Sequence, residues 1–159
     1  MRWAGTVLVA ALVAGACGPG GAGTATRPPV PSEAAGRAVV DQLAAFATGG
    51  ALDRICSLGS GTCPHDLRNA APGSAPTSTP EVIGSWVVES RAEVNGWSLG
   101  GRAFALCGAD GLGRRFYSEV LVFDSGAGAL RAVNAVFWTG ARIATSSDPG
   151  VAAPRHACP

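Results

Sequence analysis

The 159-residue chain sets twelve basic side chains, every one an arginine, against eleven carboxylates, for a formal net charge of +1. So even a balance, with Arg114-Arg115 as its lone basic doublet, excludes the clustered basic stripe of a nucleic-acid binder and any strong pull toward an anionic surface. The 47% of apolar residues is enough for one compact core, and the length fits a single domain once the ends are set aside.

Arg2 is the sole charged side chain before residue 27. Trp3 to Ala16 is a continuous apolar or small-residue run, shorter than the roughly 20 residues a bilayer-spanning helix needs. It has the length of a signal-peptide core, so residues 1–16 are expected to be a leader. Ala14-Gly15-Ala16 places small residues just before Cys17, and two cuts suit it. An ordinary signal peptidase could act after Ala16. Alternatively, Val13-Ala14-Gly15-Ala16-Cys17 resembles the lipobox of bacterial lipoproteins, with Ala14 where that pattern has leucine. The resemblance implies a lipid on Cys17 and an anchored, extracytoplasmic protein; the alternative is a secreted one. Cysteine arithmetic favours the lipid. The chain has five, and assigning Cys17 to an anchor leaves an even four. Residues 17–31 then read as a tether: GPGGAGTATRPPVP has four prolines and no apolar period.

The folded domain is expected over 32–145, with 146–159 as a tail. Ser32 can cap a helix whose first turn holds Glu33, and Ala35, Val39, Leu43 and Phe46 form a stripe at three- and four-residue steps. Arg37 and Asp41 lie opposite, and Gly49-Gly50 ends it. Leu52 and Ile55 suggest a short second helix, with another turn from His65 to Asn69. Residues 70–80 are a Pro/Ser/Thr loop.

Strands follow. From Glu81, Trp86, Val88, Ser90, Ala92 and Val94 alternate with Val87, Glu89, Arg91 and Glu93, the latter expected to meet water. Asn95-Gly96 favours a type I′ hairpin turn. A second strand runs from Trp97 to Cys107, with a bulge expected at Gly100-Gly101. A third strand, RRFYSEVLVFD, puts Phe116, Val120 and Val122 on one side and Tyr117, Leu121 and Phe123 on the other. LRAVNAVFWTG makes a fourth. Helices followed by strands predict an α+β domain, with helices packed on a four-stranded antiparallel meander. The face expected toward the helices is Trp86, Val88, Ala92, Ala103, Ala105, Val120, Val122 and Val133.

This order of elements, from 32 to about 140, is similar to the cystatin-like cone of the NTF2-like superfamily, a form shared by many small actinobacterial lipoproteins. It lacks that family's extra strand between helices and meander. Members use the cone as an enzyme site, a ligand pocket or a rigid partner-binding surface, so the fold alone selects no function.

Cys56 and Cys63 enclose a short loop containing two glycines, which a bridge would stabilise by about 2.5 kcal/mol in the chain-entropy model. Three pairings of the four cysteines exist, and the locality of this pair favours 56–63 with 107–158. Metal is the rival. Cys56, Cys63, His65, His156 and Cys158 are suitable ligand types, but their spacings are not those of structural zinc sites, and no metal or other cofactor is expected.

There is no P-loop or H-E-x-x-H motif. His65 beside Asp66 is expected at the surface, since neighbours on a turn rarely converge on one substrate atom. Glu119 is the one charged side chain in the middle of the third strand, and Asn134 the polar one in the fourth. With Tyr117, Phe123 and Trp138 they form a candidate contact surface. The competing reading is a second layer, covered by the C-terminal tail through Cys158. The expectation is therefore a non-enzymatic envelope lipoprotein that binds a protein partner or small ligand. The alternative is a secreted enzyme or carrier using the space between helices and sheet. That pocket would be polar and roomy in an enzyme, and filled in an interaction module.

Overall fold

The computed structural model describes residues 27–143 except 91, 94, 95, 98 and 127, together with 158–159; between 91 and 98 only backbone pairing is described. The expected leader, Cys17, the Asn95 position of the expected turn, the side chains of Arg91 and Glu93, and His156 lie outside these residues.

Among the described residues, three helices precede the sheet. Helix α1 spans Glu33–Thr48, α2 Leu52–Leu58 and α3 Cys63–Asn69. Ser32 starts α1: its Oγ accepts from Ala35 N at 3.2 Å, satisfying one of the orphan first-turn donors. The buried stripe of α1 is Gly36, Val39, Val40, Leu43, Ala44 and Ala47. This corrects the expected stripe by part of a turn. Ala35 is exposed, and Phe46 is half-buried beneath Arg54, whose guanidinium lies 4.5 Å from the ring centroid. Small residues make the closest approach to the sheet. The ring of Phe104 sits against Gly36, where a Cβ would come within 2.8 Å of Cε2.

The sheet runs β1 (Glu81–Val88), β4 (Gly101–Ala109), β5 (Arg115–Asp124) and β6 (Leu130–Val133), each antiparallel to the next in the order β1-β4-β5-β6. The short strands β2 (Ala92–Glu93) and β3 (Gly96–Trp97) pair with each other in a separate two-stranded sheet. The protein is therefore α+β, helices first and an antiparallel meander second.

Three details differ from the alternation. The first long strand stops at Val88, and the chain then crosses itself where Gly100 presses on the backbone of Ser90. The bulge falls between Val82 and Gly84, not at Gly100-Gly101; Gly101 instead admits the carbonyl oxygen of Val122. The fourth strand ends at Val133. Asn134 follows with φ 58°, and Phe137–Thr139 form a 3-10 turn.

The helix-facing side of the sheet carries Phe104, Leu106, Phe116, Val120, Val122 and Ala132, packed with Val40, Leu43, Ile55 and Phe137. Because faces alternate along a strand, Ala103, Ala105 and Val133 point the other way. So does Trp86, the register partner of Ala103. Of the residues expected beneath the helices, Val120 and Val122 are there, whereas Trp86, Val88, Ala103, Ala105 and Val133 are on the far face and Ala92 belongs to the separate β2–β3 pair. Phe104 and Leu106 do the packing that Ala103 and Ala105 were expected to do.

Both ends of the core are held by sulfur. Cys56 is bonded to Cys63 across the α2–α3 elbow (S–S 2.16 Å), and Cys107 to Cys158 (S–S 2.13 Å). The loop over 70–80 is packed as well. Pro76 and Ser74 are buried, Ser74 O accepts from Gly111 N at 3.0 Å, and Ser74 Oγ accepts from Trp138 Nε1 at 3.1 Å. Ahead of α1, Pro31 is buried and its carbonyl accepts from Arg102 Nε at 3.1 Å, so the chain docks on the domain before the helix begins.

Candidate functional site

Two places gather polar groups. The first is the far face of β5, where Tyr117, Glu119, Leu121 and Phe123 stand in line. Glu119 is 5% exposed, and each of its polar atoms has a partner. Its Oε1 accepts from Tyr117 Oη at 2.9 Å and its Oε2 from Ile143 N at 3.0 Å. Its backbone N donates to Ala141 O at 2.9 Å, and its carbonyl accepts from Asn134 Nδ2 at 2.9 Å. Ending β6 at Val133 makes this possible. The chain leaves the sheet edge, buries Phe137, and returns at Ala141 to pair with the backbone that β6 left open.

The Arg142 guanidinium then lies 5.0 Å from the Tyr117 ring centroid. Burial, followed by the hydrogen bond and charge of Glu119, pushes the Tyr117 pKa up to about 12, with Arg142 opposing. Cys107, the register partner of Tyr117, holds Cys158 by its disulfide. Glu119 is thus committed within the chain, between β5 and the segment that follows the 3-10 turn.

The other residues of the expected contact surface separate. Phe123 is half-buried on the far face, opposite Arg131 of β6. Asn134 sits at the sheet edge. Trp138 is not on that face: it is buried at 4% exposure in the helix-side core, edge-on to Phe137 with ring centroids 5.3 Å apart. With Val133 on the far face, alternation already assigns Trp138 to the helix side; the strand ends five residues earlier, and the 3-10 turn keeps it there.

The second place is a cleft of about 220 Å³ between α3 and the end of the sheet, lined by Asp66, Asn69, Asn134, Val136, Thr139 and Ala141. Asp66 and Asn69 are three apart on α3 and therefore share a face. Their spacing in HDLRN was the one available signal, and without the returning segment there was nothing to pair it with. Asn69 Nδ2 lies 3.1 and 3.2 Å from the two ring nitrogens of His65. The His65 side chain is 70% exposed, with Nδ1 3.6 Å from Asp66 Oδ1.

Among the described residues, no three His, Cys, Asp or Glu side chains are grouped to hold a metal ion, and no helix is long and apolar enough to cross a membrane. The paired cysteines fit an oxidising compartment. No protein-family profile, curated protein or solved structure matches the chain.

Proposed function

We propose that this protein is a non-enzymatic interaction module of the cell envelope, held outside the membrane by a lipid on Cys17. In this reading it is a small lipoprotein with an NTF2-like, cystatin-like domain. The observation that carries the reading is the space between helices and sheet. Phe104, Phe137, Leu43, Ile55, Leu106 and Val40 are its largest fully buried side chains, and they pack its centre, where an enzyme or carrier of this architecture would keep its pocket; the space left, about 550 Å³ between α1 and β1, is an open groove at its edge. The two disulfides support the location, since such bridges persist where the surroundings are oxidising. With its interior filled and its loops clasped, the domain offers its outer surface for recognition. The exposed parts of Tyr117 and Phe123, with Arg131 and Arg142 beside them, supply the aromatic and arginine chemistry common at interfaces.

Metabolic labelling with a palmitate analogue tests the anchor: the wild type should take the label and Cys17→Ser should not. Native mass spectrometry of the membrane-extracted protein tests the filled interior. The expected mass is that of chain and lipid alone; a stoichiometric small ligand released on unfolding would favour the carrier reading instead.

A further inference from the structure

The cleft at α3 has a chemistry of its own, independent of how the chain is anchored. Among the described residues its single charged lining side chain is Asp66, and no arginine lines it. The ion-pair partner of Asp66 among the described residues is His65, whose Nδ1 at 3.6 Å is beyond hydrogen-bond reach. The neutral polar groups around it have already spent hydrogens elsewhere. Thr139 Oγ1 donates its only hydrogen to Val136 O at 2.9 Å. Asn134 Nδ2 donates to Glu119 O, and Asn69 Nδ2 is turned to His65. What remains is one carboxylate, the Thr139 hydroxyl lone pairs, two carboxamide oxygens and a second N–H on each carboxamide, a set dominated by acceptors.

The site is also built with care. Asn134 takes a left-handed backbone conformation, uncommon for a residue with a side chain, and its carboxamide is pinned across to β5. Val136 and Ala141 add apolar surface beside the polar groups. At about 220 Å³ the cleft falls below the roughly 300–1,000 Å³ of pockets that enclose a drug-sized ligand, so it suits a head group.

We infer that this cleft binds a primary ammonium group carried on a short alkyl stem. An ammonium offers three donors from one compact positive centre, which several separate acceptors can share. A guanidinium presents a flat fork that suits a paired, bidentate acceptor. The stem would lie on Val136 and Ala141. The source is either a free alkylamine or a lysine side chain of another protein; the chain itself contains no lysine, so a second copy cannot supply one.

The test is a titration of the ¹⁵N-labelled full chain with n-butylammonium, with N-acetyl-lysine methylamide, with n-butylguanidinium and with n-butanol. Saturable shifts are expected for the two ammonium ligands at Asp66, Asn69, Asn134 and Thr139. Butanol, the uncharged mimic, should give none, and guanidinium should bind more weakly. Tighter binding of the lysine derivative identifies a protein side chain as the source, and tighter binding of butylammonium a free amine. Asp66→Asn should weaken binding at least tenfold, Thr139→Val should weaken it less, and Asp53→Asn, an exposed acid outside the cleft, should leave it unchanged. No saturation below about 100 mM, equal binding of butanol or butylguanidinium, or full affinity in a folded Asp66→Asn protein would overturn the inference.

Discussion

Tyr117 and Glu119 stand two residues apart on the far face of β5, and the phenol donates its hydrogen to Glu119 Oε1 at 2.9 Å. Ionising that phenol would place two negative charges against each other. The folded protein therefore holds the neutral form, with a pKa near 12 against an ordinary 10.0. The stabilising contribution is complete below the unfolded value and disappears as pH rises through the folded one. Composition makes this easy to observe. The chain has one tyrosine and no lysine, and arginines stay charged throughout. Urea unfolding midpoints should fall between pH 10 and about 12, in step with tyrosinate absorbance. Tyr117→Phe should cost about 1 kcal/mol at neutral pH and remove most of that alkaline step.

At the β4–β5 turn the pH dependence has the opposite sign. Asp110 is buried, and burial alone would raise its pKa. Hydrogen bonds outweigh it: Arg114 N donates to Oδ1 at 2.8 Å, Arg114 Nε to Oδ2 at 2.8 Å, and Leu112 N to Oδ1 at 3.0 Å. The net effect holds the carboxyl below its ordinary 3.8. Stability from this turn is thus present above that value and lost as pH falls through the lowered one. Asp110→Asn should lower the thermal midpoint at neutral pH and flatten its decline in acid; an unchanged acid limb would mean that other carboxylates control it.

Element order was legible in the sequence because each signal was local. Ser32, Gly49, the alternation in RRFYSEVLVFD and the short Cys56–Cys63 spacing all act within a few residues. What stayed hidden depends on contacts distant in sequence. A strand pattern in LRAVNAVFWTG cannot reveal that Asn134 turns left-handed to bond Glu119, nor that Val133 pairs with Leu121 on the far face, the register that assigns Trp138 to the core side. The stretch over 70–80 reads only as a Pro/Ser/Thr loop, yet Gly111 fits against the carbonyls of Gly73 and Ala75, where no side chain could. The polar cleft was illegible for the same reason, since Asp66 and Asn69 meet Asn134 and Thr139 only after the chain has turned back.

The two disulfides should differ in weight. In the chain-entropy model, closing the seven-residue separation of Cys56 and Cys63 contributes about 2.5 kcal/mol, and the 51-residue separation of Cys107 and Cys158 about 4 kcal/mol. The double variant Cys107→Ser/Cys158→Ser should therefore lose more in thermal midpoint than Cys56→Ser/Cys63→Ser. It also frees the C-terminus, whose carbonyl accepts from Arg115, so backbone exchange along Arg115–Tyr117 should rise. The reverse ranking would place the greater stabilising role at the α2–α3 elbow, where Cys63 is itself buried.

Gly36 gives the most direct test of how α1 meets the sheet. Within a helix, alanine ordinarily stabilises by about 0.5–1 kcal/mol over glycine. Here the added methyl would stand 2.8 and 2.9 Å from two carbons of the Phe104 ring. That ring is 1% exposed and enclosed by core side chains, so it has little room to yield. Overpacking of this kind costs about 1–3 kcal/mol, more than the helix gain. Gly36→Ala should accordingly destabilise. Phe104→Leu alone leaves a void and should destabilise too. Combining them lets the methyl occupy part of that void, so the double variant should lose less than the sum of the two. If Gly36→Ala instead raises the unfolding midpoint, the helix does not press on Phe104 as described, and the filled interior on which the functional reading rests would have to be looser than this packing implies.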